Sequence, residues 1–453
     1  MRRTTLAAGV AIPLALVVAA AGLVARRARQ ATAEDPAALA MKARTPAAAP
    51  PAPPPVSLAS LDTTKLSFTQ EGAAIVPLDG KKVARLTVDP ALQRVTTAVM
   101  KMHHIPEASV VLMDVETGNV LVYASHVEKG PPRDLAVEAT APAASVFKVV
   151  TGSSLVENAG LTPDRKECFS GGEQRILEQD LQRDPKRDRW CTTLSGAMGR
   201  SLNTVFARLA LEKLPHAQLE ETARSLGFGS ALPFDVPVQP SALHFPEDSL
   251  GYARTAAGFW NTTLSPVHAA WLSATVARGG EPVRPRLVAD VTDEAGHVLW
   301  TSPSAVAQKR AIKAETAQAV STMMDSTVSD GTSYRAFHDP KGGSFLPGIT
   351  VAGKTGTLTD GPAKRFYTWF TGFAPSKPYV PPPDVTVAAP RQVAIGVLVV
   401  NEPTWSVKAN VVAREVLRAY FAEQKMPSVT VPQLRASQPS TTPGTKHRRH
   451  RGS

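Results

Sequence analysis

The sequence predicts an α/β body in which one antiparallel sheet is assembled from both ends of the folded segment, with helices between. Three observations predict it. ASVVLMDVETGNVLVYAS at 108–125 holds two β-rich runs around Glu116-Thr117-Gly118-Asn119, a hairpin pattern. ITVAGKTGT (349–357), FYTWFTGFA (366–374) and QVAIGVLVV (392–400) read as three late strands. Between these groups, helical spacing fills most of 145–225 and returns at 264–278 and 314–328.

The flanking elements follow the same logic. FTQEGAAIVPLDGKKVARLTV (68–88) carries two strand-like runs about Asp79-Gly80, a second hairpin signal. DPALQRVTTAVMKM (89–102) reads as a helix with Leu92, Val95, Val99 and Met102 near one face. VKANVVAREVLRAYFAEQ (407–424) is an amphipathic closing helix. The Pro-rich stretch 375–391 is a long connection between late strands and is expected to be disordered.

Outside the body, Leu6–Ala25 is an uncharged run of 20 residues, about the length that crosses a bilayer. Arginines follow it at once and the first small-residue site, Ala31-Thr32-Ala33, lies beyond them, which favours an uncleaved anchor over a cleaved signal. The organisation expected is an anchor at 1–30, a Pro/Ala-rich spacer at 31–58, a catalytic body at 59–424 and a disordered basic tail at 425–453. Nine of the +11 formal charges come from Arg2, Arg3, Arg26, Arg27, Arg29, Lys446, Arg448, Arg449 and Arg451. The body is therefore near neutral and makes no case for nucleic-acid binding. Cys168 and Cys191, the two cysteines, do not have zinc-site spacing. They are either separate thiols or, in an exported protein, one disulfide.

The chemistry starts at Ser145 and Lys148. VFKVVTGSSLV (146–156) is apolar on several sides, so its lysine belongs to a buried helix, where desolvation makes a neutral amine accessible. One helical turn brings that amine to the serine hydroxyl, an arrangement that activates a nucleophile. S-x-x-K alone is common. Ser201-Leu202-Asn203 on a turn between helices and Lys354-Thr355-Gly356-Thr357 on a strand complete an ordered set, the signature of penicillin-binding proteins and serine β-lactamases.

Residues 85–424 accordingly resemble the penicillin-binding protein transpeptidase domain, also through LTVDPALQR, ENAGLTPD and WFTGFAP. The resemblance implies an antiparallel sheet flanked by helices plus a mostly helical subdomain, β-lactamase/transpeptidase-like. It implies a D,D-transpeptidase that cross-links peptidoglycan stem peptides through a serine acyl-enzyme and binds β-lactams covalently. Ser145 would be the nucleophile, Lys148 its base and Ser201 a proton relay to the leaving amine. Asn203 would orient Lys148 and the substrate amide, and Lys354 would supply positive potential for the terminal carboxylate. Thr355 and Thr357 would donate hydroxyl hydrogen bonds to it. Gly356 would let substrate lie along the strand, and the backbone N–H groups of Ser145 and Thr357 would form the oxyanion hole.

The substrate implied lies outside the cytoplasmic membrane, which orients the anchor, places the catalytic domain on the periplasmic or extracellular side and favours a Cys168–Cys191 disulfide. No cofactor or metal is expected; His103-His104 and the C-terminal histidines have no convergent partners. The body begins within about 60 residues of the anchor, too few for a polymerase domain, so a separate glycan polymerase is the expected partner. Two departures from the family pattern bear on substrate fit. Pro142-Ala143-Ala144 stands where Pro-Gly precedes the serine, and GFWNTTLSPVHAA (258–270) lacks the usual Gln and carries Ser265 and His268 instead of Thr and Gln. His268 reads better as a packed helix residue than as a special donor. Rival readings are a D,D-carboxypeptidase or endopeptidase, a β-lactamase, and a non-catalytic β-lactam sensor or scaffold.

Overall fold

The computed structural model describes residues 56–423 apart from 172–174, 304–307, 361, 380–388 and 403. The expected anchor, most of the spacer, the basic tail and the middle of the 375–391 connection lie outside the described residues. Among the described residues no helix is long and apolar enough to cross a membrane.

The described chain opens with β1 (Ser67–Phe68), the hairpin β2 (Ala74–Leu78) and β3 (Lys82–Leu86), helix α1 (Pro90–Met102) and the hairpin β4 (Glu107–Asp114) and β5 (Val120–Val127). A short strand β6 (Ala141–Pro142) leads into a 3-10 turn at Ala144–Phe147 and helix α2 (Lys148–Glu157). The ribbon β7 (Lys166–Phe169) and β8 (Trp190–Thr193) encloses the short α3 (Glu178–Leu181). Helices α4 (Leu194–Arg200), α5 (Asn203–Lys213), α6 (His216–Ser225) and α7 (Ser249–Ala256) follow, then β9 (Thr263–Leu264) and α8 (Pro266–Ala277). The pair β10 (Val288–Thr292) and β11 (Val298–Thr301) precedes α9 (Ala314–Ser329) and α10 (Tyr334–Phe337). Strands β12 (Ala352–Asp360), β13 (Arg365–Ala374) and β14 (Val393–Asn401) and helix α11 (Ala409–Glu423) complete it.

Five strands form the central antiparallel sheet in the order β12-β13-β14-β4-β5. The expected closure of early onto late strands is the β14–β4 pairing, from Val393↔Asp114 to Val400↔Glu107. Side chains alternate across it with a period of two. Ala394, Leu398 and Val400 enter one core, shared with α2 and α8, while Ile395, Val397 and Val399 enter the other, shared with α1 and α11. Burial on both faces explains the unbroken apolar run of QVAIGVLVV. Strand β12 lies at an edge of this sheet, so one row of its backbone groups has no strand partner.

Three features differ from the sequence reading. A second sheet, β1-β2-β3-β10-β11, joins the first hairpin to a late strand pair through β3–β10, a contact between segments some two hundred residues apart that leaves no local pattern. Residues 158–193 hold mostly loops and the β7–β8 ribbon instead of continuous helix. Helix α1 buries Leu92, Gln93, Thr96, Val99 and Met100, whereas Val95 and Met102 face solvent. The stripe is rotated because Gln93 is held inward by the sheet: its Nε2 donates to Tyr123 O (2.7 Å) and its Oε1 accepts from the Tyr123 amide (2.9 Å). Cys168 and Cys191 are bonded, directly opposite one another across the ribbon.

Leu92→Ala should therefore lower unfolding stability by about 2–5 kcal/mol, the cost of a cavity. Met102→Ala should change it by less than about 0.5 kcal/mol. Urea midpoints for the two variants measure this, and equal effects would contradict the rotated face.

Candidate active site

Ser145 sits in the 3-10 turn ahead of α2, not in the α-helix itself. The turn begins at Ala144, whose φ of 51° is left-handed, a conformation that costs a non-glycine residue roughly 1–2 kcal/mol. That is where the resembled family has glycine, so the departure noted in the sequence is absorbed as backbone strain. Gly258 packs over the same turn. Its φ is 81°, and a Cβ there would meet Ala144 O at 2.4 Å. Only glycine fits that approach.

The turn aims the hydroxyl at Lys148, whose Nζ donates to Ser145 Oγ (2.8 Å), Asn203 Oδ1 (2.7 Å) and Ala257 O. Lys148 is completely buried. Burial, and secondarily the charge of Lys354, holds its pKa well below the usual 10.5. When the amine is neutral, its lone pair takes the place of one donated N–H and can receive the serine proton. Asn203, the first residue of α5, ties the amine to the helical side.

Ser201 lies between α4 and α5 in the left-handed region, φ 60°, which ends one helix and turns its hydroxyl out of line with the next. Its Oγ accepts from Lys354 Nζ at 2.9 Å, and the same ammonium donates to Thr355 O at 2.9 Å. Lys354 is also fully buried, and desolvation pulls its pKa down to about 7. It therefore stands behind Ser201 rather than open to the cleft.

Strand β12 runs past the 3-10 turn with Gly356 at the closest point. A Cβ there would stand 3.1 Å from both Ala144 Cβ and Trp369 Cβ. The cross-strand partner Trp369 donates Nε1–H to Pro142 O at 2.8 Å and pins the strand to the serine segment. Thr355 Oγ1 is hydrogen-bonded to Thr332 Oγ1 at 2.6 Å, and Thr357 is exposed. A cleft of about 850 Å³ is lined by Ser145, Ser201, Asn203 and residues 355–359, so the three motifs meet at one place.

Sequence reasoning missed Arg200, Thr332 and Lys408, which line this cleft and stand in no motif; tertiary packing brings them there. Phe259 and Trp260 also line it, and they belong to the 258–270 segment whose departure from the family pattern bears on substrate fit. His268 is a packed residue as expected. Its Nδ1 meets Ser241 Oγ (2.7 Å), its Nε2 meets Leu226 O (2.8 Å), and burial lowers its pKa to about 4. Among the described residues no cluster of His, Cys, Asp and Glu is arranged to hold a metal ion.

The arrangement is matched by sequence. Residues 108–381 fit the family profile described as penicillin binding protein transpeptidase domain. This chain belongs to that family. It is 27% identical over 288 residues to the peptidoglycan D,D-transpeptidase PbpA of Mycobacterium tuberculosis, covering 60% of this chain and 52% of that protein. It is 25% identical over 325 residues to the stage V sporulation protein D of Bacillus subtilis, covering 66% and 48%. The chain thus spans about half the length of the curated relatives it matches. Among solved structures, that of PBPA from M. tuberculosis superposes with TM-score 0.59 at 22% identity, covering 75% of this chain and 80% of that one. The D,D-transpeptidase domain of a peptidoglycan glycosyltransferase from Eggerthella lenta gives TM-score 0.61 at 21% identity, covering 80% and 98%. These likenesses establish the fold: antiparallel sheet with flanking helices.

Three expectations follow from the geometry. Serine acylation by a fluorescent penicillin should rise with pH as the Lys148 ammonium loses its proton, and should level off well below pH 10.5; a rate still climbing at pH 10 would contradict a desolvated base. The Lys354 shift adds a stability term of defined sign. Between about pH 7 and 10.5 the unfolded chain holds a proton that the folded one has released, so that term rises with pH. Gly258→Ala, measured by the same acylation assay, should slow the reaction roughly 10–100-fold by displacing the serine turn, with the far-ultraviolet circular dichroism preserved.

Proposed function

We propose that this protein is a serine D,D-transpeptidase that cross-links peptidoglycan stem peptides. The observation that carries the reading is the 2.8 Å contact between Ser145 Oγ and a fully buried Lys148 amine, beside the open edge of β12. In the free enzyme's reactive form Lys148 is neutral. The donor peptide adds to the edge of β12 as an extra strand, its terminal carboxylate toward Thr355 and Thr357. Ser145 Oγ attacks the penultimate carbonyl carbon while its proton passes to Lys148 Nζ. The N–H groups of Ser145 and Thr357 receive the oxyanion, a contribution of roughly 10²–10³ in rate per donor.

Collapse of the tetrahedral species breaks the peptide C–N bond. The leaving D-alanine amine gains, through Ser201, the proton that Lys148 took from Ser145, which leaves Lys148 neutral again. An amine of a second peptide then attacks the ester, loses a proton to Lys148, and releases Ser145 as a hydroxyl. Water in place of that amine gives hydrolysis, the carboxypeptidase outcome. A β-lactam enters the first half and stays attached. Among the described residues the cleft lining has no Asp or Glu to activate a hydrolytic water, which favours transfer over a β-lactamase.

The same proposal includes an anchor at residues 1–30, a spacer at 31–58 and a tail at 425–453 around a catalytic body at 59–424. The body then lies on the outer side of the cytoplasmic membrane, and a separate protein polymerises the glycan. Support for these comes from the uncharged Leu6–Ala25 run, the Pro/Ala spacer and the chemistry of the substrate.

Purified protein incubated with fluorescent penicillin should carry a persistent adduct that Ser145→Ala abolishes. Lys148→Ala should slow adduct formation by roughly 10²–10⁴-fold. Rapid loss of the wild-type adduct would indicate a β-lactamase, and labelling that survives Ser145→Ala would sink the assignment.

A further inference from the structure

The cleft carries one charge at its distal end that the acyl-transfer steps leave idle. Lys408 lines it together with Thr357, Leu358, Thr359 and Thr368. Contacts on both sides of it fix its place. The next amide, that of Ala409, donates to Thr368 Oγ1 (3.1 Å), and Thr368 is the cross-strand partner of Thr357. Lys408 Nζ stands 5.5 Å from the ring centroid of Trp405, which stacks on Phe366 at 5.0 Å; Phe366 is the cross-strand partner of Thr359. Ammonium and indole therefore sit by the β13 residues that pair with the outer half of β12, and Lys408 shares the cleft lining with Thr357, Leu358 and Thr359. No ion pair of Lys408 is present among the described residues, while Glu402, six residues before it, pairs with Arg365 (3.1 Å) and Asp360, at the end of β12, accepts from the Ala363 amide (3.2 Å). An ammonium held over an aromatic face, without a carboxylate of its own, is suited to an incoming anion.

The direction of the donor peptide decides which part of it arrives there, and this step rests on the acyl-transfer reading above. With the scissile carbonyl between Ser145 and Thr357 and the terminal carboxylate toward Thr355, the peptide runs antiparallel to β12. A strand advances about 3.4 Å per residue, so the residue preceding the acyl residue lies alongside Leu358 and Thr359. We propose that Lys408, steadied by Trp405, selects donor peptides whose residue immediately before the acyl D-alanine carries a free side-chain carboxylate. An uncharged side chain at that position forms no ion pair, and an ammonium is repelled.

The test uses protection of Ser145 from fluorescent penicillin, with two isosteric probes. These are N-acetyl-L-2-aminoadipyl-D-alanyl-D-alanine and the same peptide with its side-chain carboxylate converted to the primary amide. On the wild-type protein the acid should slow labelling at a concentration on the order of fivefold lower than the amide, the size expected of a partly exposed ion pair. The preference should weaken at 1 M salt, disappear in Lys408→Met, reverse in Lys408→Glu and survive in Lys408→Arg. Equal protection by the two peptides on the wild type, no protection by either, or a preference that persists in Lys408→Met overturns the proposal. Failure of penicillin to label the wild type at all sinks the acyl-enzyme reading and this inference with it. Labelling without an acid preference sinks only the role of Lys408.

Discussion

An amine that works only when uncharged has to be kept where charge is costly, and that requirement organises the rest of the molecule. Lys148 is completely enclosed, and so is Lys354. Each lacks a carboxylate partner among the described residues; what surrounds them is neutral, namely Asn203 Oδ1, Ala257 O, Ser201 Oγ and Thr355 O. A nearby Asp or Glu would stabilise the ammonium and remove the base. Neutral acceptors instead hold the amines in position without restoring the charge that burial disfavours. Such an arrangement lowers stability by itself, so it must be carried by a large apolar core. The sheet buried on both faces provides one.

Positioning depends on short irregular segments at the junctions of regular elements. Ala144 and Ser201 both adopt left-handed backbone, at φ 51° and 60°, and Gly258 closes over the first of them. A continuous helix would have left the serine on its own axis, facing its neighbours on the next turn. The left-handed residues break that continuity and point two hydroxyls, one from the turn ahead of α2 and one from the junction of α4 and α5, at lysines from a helix and a strand. Backbone strain at such positions persists because the surrounding packing over-determines it. Trp369 and Gly356 contribute to this by fastening β12 against the serine turn.

Where local chemistry sufficed, the elements were legible in advance. The hairpins at Asp79-Gly80 and Glu116–Asn119, the three late strands and the closing helix all stand where alternation, turn residues and amphipathic spacing placed them. The motif residues converge as their order implied. Legibility failed where a long-range contact overrode the local pattern. Gln93 turned inward because an unpaired stretch of strand backbone accepted it, and this displaced Val95 and Met102. The region 158–193 lost its expected helix to a disulfide-bonded ribbon, and β3 found β10 across most of the chain.

By itself the sequence determined which chemistry was present: a serine and a lysine one turn apart, a second serine with its asparagine, and a lysine on a strand, each in a recognisable local context. Tertiary structure alone decided how completely those groups are enclosed and which walls stand around them. Desolvation is set by everything that packs over an atom: the apolar residues adjacent to Lys148 already pointed to a neutral amine, whereas the shift of Lys354 comes from the segments packed over its strand. The same holds for Arg200, Thr332 and Lys408, which belong to the cleft only because distant segments meet there. A residue's place along the chain records its neighbours in sequence, whereas its solvation and its distance to a substrate depend on the folded whole.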